Sequence, residues 1–95
     1  SVDIARDKIT EELDKGMKEA GSELVEGSKK PSARSISGAE RKGISREFEQ
    51  GNLKLRQEIY GFQGEKKVYV LVFQYHVKEE ELADRYFKIV CDTLK

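Results

Sequence analysis

The sequence predicts an α+β fold: an antiparallel β-sheet meander with an N-terminal and a C-terminal helix packed against it. Three observations predict it. The stretch Lys66–Val77 reads KKVYVLVFQYHV, rich in β-branched and aromatic residues and apolar on both faces. That is the pattern of a strand covered on both sides, and we read it as the central strand. Two segments, Asp3–Ala20 and Glu79–Leu94, repeat apolar residues at spacings of three and four. Turn signals at Gly51-Asn52 and Gln63-Gly64-Glu65 separate the apolar runs between them.

Ile9, Leu13, Met17, Ala20 and Leu24 form the stripe of the first helix. Ser1 or Asp3 caps its start, and Gly21 ends it. Asp7, Glu11 and Lys15 are spaced for pairing on its exposed face. Gly16 costs such a helix about 1 kcal/mol relative to Ala, which suggests close approach to the sheet. Leu24 and Val25 either extend the helix or begin a short edge strand. Gly27–Ser32, with the only proline of the chain, is turn chemistry.

Ala33–Ser37 and Gly43–Gln50 carry weaker strand patterns, joined by a polar link Ala39–Lys42 that Gly38 and Gly43 bracket. Ile44, Arg46 and Phe48 share a half-buried face, and Ser45, Glu47 and Glu49 the wet one. Leu53–Phe62 is the next strand. Leu53, Leu55, Gln57 and Ile59 lie on one face; Lys54, Arg56, Glu58, Tyr60 and Phe62 lie on the other. In Glu79–Leu94, the stripe Leu82, Tyr86, Ile89 and Val90, widened by Ala83, Phe87 and Leu94, is expected to face the sheet. Glu79, Glu80 and Glu81 suit the positive end of that helix dipole, and Lys95 the negative end.

At 95 residues the chain is one domain, which buries about 60–70% of its unfolded surface. Charged residues make up 38% and hydrophobic residues 37%, so the core is concentrated in few elements. The formal net charge is zero, which gives no overall attraction to nucleic acid. No apolar run is long enough to span a bilayer. The start at Ser1-Val2 is read as a processed or truncated end, with any targeting segment out of view.

Chemistry-bearing motifs are sparse. His76 has no metal-ligand spacing around it and ends an apolar strand, which suits a polar residue facing solvent. Cys91, the one cysteine, sits beside the last apolar stripe and reads as packing. The aromatics Tyr60, Phe62, Tyr69, Phe73 and Tyr75 fit a core better than an exposed RNA-stacking face. No phosphate loop, nucleophile elbow or acid–base pair is evident, so the chain reads as a non-enzyme without cofactor or metal.

Charge is unevenly placed along the chain. Residues 1–27 hold eight acidic and four basic side chains, whereas Lys29–Arg46 is basic. Arg34, Arg41, Lys42 and Arg46 are the candidate docking residues for an acidic protein partner. The plainer reading is a solvated edge, whose cations discourage strand pairing.

The order of elements, the run Ile36-Ser37-Gly38-Ala39-Glu40-Arg41-Lys42-Gly43, the strand Val68-Tyr69-Val70-Leu71 and the ending Tyr86–Lys95 resemble the Mog1/PsbP-like superfamily. That group includes the DcrB-type and related bacterial lipoprotein domains. Thr93 stands where the family usually has Ser. The resemblance implies an α/β/α sandwich and a non-catalytic protein-binding module of an envelope-associated or secreted bacterial lipoprotein. A small-molecule or lipid carrier and a detached regulatory domain of an enzyme complex are the alternatives.

Overall fold

The computed structural model describes residues 1–94; Lys95, assigned above to the end of the last helix, lies outside the described residues. Helix α1 spans Val2–Glu19, and the Ser1 hydroxyl caps it by accepting from the Ile4 N–H. Its end is set by Gly21, at φ +78°. The Ser22 N–H donates to the Met17 carbonyl and the Gly21 N–H to the Lys18 carbonyl, a Schellman termination. Gly16 is exposed with nothing near its α-carbon, so it marks no approach to the sheet.

Five strands follow: β1 Glu23–Leu24, β2 Lys30–Ile36, β3 Ala39–Gln50, β4 Leu53–Gln63 and β5 Val68–His76. The chain then makes a short 3-10 turn, Val77–Glu79, and closes with α2, Glu80–Thr93. All pairings are antiparallel in the order β1-β3-β4-β5, with β2 also on β3. The segment Ala39–Lys42 is therefore not a link but the first third of β3. Ser37 and Gly38, both at positive φ, make the two-residue hairpin before it. The turn at Gly51-Asn52 falls where the sequence places it.

The register fixes two faces. On one lie Arg34 and Ile36, then Gly43 and Ser45, then Arg56, Glu58, Tyr60 and Phe62, then Leu71, Phe73 and Tyr75. Helix α2 covers this face, with Phe87 stacked on Phe73 at 4.3 Å between ring centres. Ile36, Tyr60, Phe62, Phe73 and Cys91 form its core. The opposite face carries Ile44, Arg46, Phe48, Leu55, Gln57 and Ile59, and α1 covers it over β4 and β5. Gly61 lets α1 approach, since a side chain there would meet Val2 and Arg6. Gly43 has a similar role within the sheet, because an added Cβ would strike the Ile59 carbonyl and the Tyr60 ring.

Two expectations are corrected. The strand Val68–His76 is not central: among the described residues it pairs only with β4, so it is the sheet edge. Its faces are both apolar because a helix covers each, and coverage above and below says nothing about lateral neighbours. The face of Ser45, Glu47 and Glu49 is wet only toward its end: Ser45 is buried and Glu47 half-buried, whereas Glu49 is exposed.

Helix α2 is also rolled from its expected seat. Ala83, Phe87 and Cys91 face inward, whereas Leu82, Tyr86 and Ile89 are 62%, 62% and 65% exposed. The anchors explain the roll. Asp84 pairs with Arg34, and the Cys91 carbonyl accepts from the Ser37 N–H at 3.0 Å. Both anchors draw one side of the helix toward β2.

Candidate functional site

Alternation along β4 puts Glu58 on the same face as Tyr60 and Phe62, so its carboxylate is carried under α2 and is 4% exposed. A lone buried carboxylate would be costly. Here both oxygens are fully engaged. Oε1 accepts from Arg34 Nε at 2.6 Å and from the Tyr60 hydroxyl at 2.5 Å. Oε2 accepts from Arg34 Nη2 at 2.9 Å and from the Tyr75 hydroxyl at 2.5 Å. The Tyr60 proton lies toward Glu58, so the Ser32 hydroxyl donates to the Tyr60 oxygen, 2.7 Å away. Arg34 Nη2 also donates to Asp84 of α2 at 2.7 Å, and its guanidinium lies over the rings of Phe73 and Phe87. β2, β4, β5 and α2 are thus tied at one carboxylate.

The electrostatics favour a fixed ion. Burial pushes the Glu58 carboxyl up, but hydrogen bonds from Arg34, Tyr60 and Tyr75 outweigh it and hold it below the usual glutamate value. Burial and the bond to Glu58 raise both phenols; Tyr75 is pushed up to about 12. The sign of the pH dependence follows. The depressed Glu58 value gives stability that is present above about pH 4.3 and is lost as pH falls below it. The raised tyrosine values give stability that is present below about pH 10 and is lost as pH climbs past it. The melting temperature should therefore fall on both sides of a neutral plateau, with a shallower alkaline arm in Tyr75→Phe. Equal alkaline arms in the two proteins would count against the Tyr75–Glu58 bond.

Beside this cluster opens a cleft of about 340 Å³, lined by Lys30, Ser32, Arg34, Arg56, Glu58 and Asp84 among others. Arg56 bridges Glu47 at 3.2 Å and Glu80 at 2.8 Å. Its Nε is buried without a hydrogen-bond partner among the described residues. Arg34 and Arg56 are matched by carboxylates, whereas Lys30 has no ion pair among the described residues. Among the described residues, no group of three or more His, Cys, Asp or Glu is placed to hold a metal ion.

The structure does not bring the four sequence-predicted docking residues together. Arg34 and Arg41 point to the α2 face, and Lys42 and Arg46 to the α1 face. Arg34 is held in the Glu58 cluster. Arg46 is buried, not exposed: it pairs with Asp14 of α1 at 2.5 Å and donates to Gln57 Oε1. Arg41 lies over the Phe62 ring, 4.6 Å from its centre, and Lys42 is exposed. The acidic N-terminal segment thus meets part of the basic one inside the chain.

The surface that sequence reasoning missed is the side of the molecule where β5 ends the sheet. Nine residues from Val68 to His76 carry no charge and no proline, and their outer backbone edge has no partner among the described residues. Phe87 points at the sheet, and Asp84 and Cys91 turn toward β2. Leu82, Tyr86 and Ile89 lie roughly 100–160° round the helix from Phe87, on the opposite flank. They therefore point away from the sheet, into solvent.

No family model, no curated protein and no solved structure matches this chain.

Proposed function

We propose that the chain is a non-catalytic protein-binding module, in the envelope setting that the sequence resemblance implies, and that its partner docks along β5 and the outer flank of α2. The observation that carries this reading is the exposure of Leu82, Tyr86 and Ile89 on α2, together with the unpaired, uncharged edge of β5. A strand edge with free backbone donors and acceptors fits strand addition, in which main-chain bonds give affinity and alternate side chains give specificity, and exposed apolar residues mark a binding surface. The Glu58 cluster supports the non-catalytic half. A carboxylate whose two oxygens each accept two hydrogen bonds has no position left for a substrate proton. The charged lining of the cleft beside it favours a binder over a carrier of apolar molecules.

Selection of displayed extended peptides against the intact domain tests the reading. Recovered peptides should be rich in β-branched and aromatic residues. They should bind wild type, and binding should weaken at least about tenfold in a folded Leu82→Glu, Tyr86→Glu, Ile89→Glu variant. Recovery no better than from an unrelated domain would remove the assignment.

A further inference from the structure

We infer that α1 is a releasable strap, latched by Asp14, which lifts from the sheet while the strands and α2 stay folded. It lies on the opposite face from α2, and its release does not depend on what β5 binds. Three observations carry the inference. The first is how loosely α1 is seated. Val2 and Arg6 lie beside Gly61, Asp14 reaches Arg46, and the Ala20 carbonyl accepts from Gln50 Nε2 at 3.1 Å, so the helix runs along β4. None of its 18 residues is buried. Val2, Ala5, Ile9, Leu13 and Met17 are only half-buried, and Gly16 weakens the helix itself. α2 is held differently. Ala83 and Cys91 are buried, Phe87 stacks on Phe73, and Arg34, Arg56 and Ser37 each bond to it.

The second is what lies beneath. Arg46, Gln57 and Gln74 are direct cross-strand neighbours on β3, β4 and β5, a polar row across the α1 face of the sheet. Gln57 Oε1 accepts from Arg46 Nε at 2.9 Å and from Nη2 at 2.7 Å, and Gln57 Nε2 donates to Gln74 Oε1 at 3.2 Å. Arg46 is 4% exposed and Gln57 fully buried. Excluding water from such a row returns less than drying apolar surface, and water solvates it again when the helix lifts. Opening α1 therefore costs less than opening α2, which sits on the aromatic layer of Tyr60, Phe62 and Phe73.

The third is the latch. Arg46 Nη1 pairs with the half-exposed Asp14, the one carboxylate that reaches this guanidinium among the described residues. A charge-assisted bond from a partly hydrated carboxylate holds the helix and still breaks reversibly. Once free, an 18-residue helix carrying Gly16 melts. Release thus turns α1 into a tail and uncovers Leu55 and Ile59 around a guanidinium that has lost its carboxylate.

Native-state hydrogen exchange of the full chain, read amide by amide by NMR, tests it. Amides of residues 9–18 should exchange at least about tenfold faster than those of β4 and α2, with the shallow urea dependence of a local opening. Asp14→Asn should speed exchange in α1 about fivefold and leave β4 and α2 unchanged. Gly16→Ala should slow exchange in α1 about fivefold, because the opened helix melts. That variant strengthens the helix and makes the same separation if Asp14→Asn does not fold. Equal protection of α1 and β4 overturns the inference, as does an α1 opening indifferent to Asp14→Asn. A variant that shifts every amide alike also overturns it, because helix and sheet would then open together.

Discussion

Glu58→Gln should cost the fold about 3–5 kcal/mol, the range for breaking a buried ion pair by removing one partner. The carboxylate is 4% exposed and receives four hydrogen bonds. An amide of the same shape offers one oxygen and an NH2 group. That group would point donors at a guanidinium and a phenol that are themselves donors. Arg34 would then stay buried against Phe73 and Phe87 with only Asp84 to neutralise it. Replacing Glu58 with Leu and Arg34 with Met should recover much of the loss, since an apolar pair leaves no stranded charge. Urea denaturation checks both; a Glu58→Gln midpoint equal to wild type would mean the cluster contributes little.

Phe73→Ala should cost about 3–5 kcal/mol for a different reason, the cavity left in a packed aromatic layer. Phe73 is buried between Tyr60, at 6.0 Å between ring centres, and Phe87, at 4.3 Å. Phe87 is the residue through which α2 reaches β5, so the truncation also loosens the helix. For a domain of this size such a loss is a large share of total stability. Thermal unfolding should show a clear drop in melting temperature, and an unchanged value would place Phe73 outside the core.

The two substitutions probe features of unequal legibility. Phe73 was readable, because a run of alternating β-branched and aromatic residues has few uses except packing. Helix boundaries and hairpin turns were readable for similar local reasons: the Ser1 cap, the Gly21 stop and Gly51-Asn52 act over a few residues. What β5 pairs with was not, since an edge strand roofed by helices looks the same in sequence as a central one. The roll of α2 was hidden too. Its apolar residues cover more than one face, and which side turns inward depends on Arg34 and Ser37, some fifty residues away in the chain.

Arg46 and Glu58 occupy a middle ground. Each alternates with apolar residues, Arg46 with Ile44 and Phe48, Glu58 with Tyr60 and Phe62, and that spacing marks both as inward-facing. Taking Arg46 for an exposed docking residue follows from its type, whereas its place on the half-buried face says otherwise. The partners that make burial tolerable, Asp14 for one and Arg34 for the other, come from distant segments that no local pattern connects.

The Glu58 knot has a consequence for synthesis. It gathers Arg34, Glu58 and Asp84, which emerge from the ribosome far apart in time. Until α2 emerges, Tyr60, Phe73 and Tyr75 face water with no roof, and the β5 edge is open beside them. A chain halted before α2 is thus a sheet with an adhesive face, the kind of species that chaperones hold. Closure by long-range contacts also makes for slow folding. The last helix to be made acts as the clasp, and the nascent protein is most vulnerable just before it arrives.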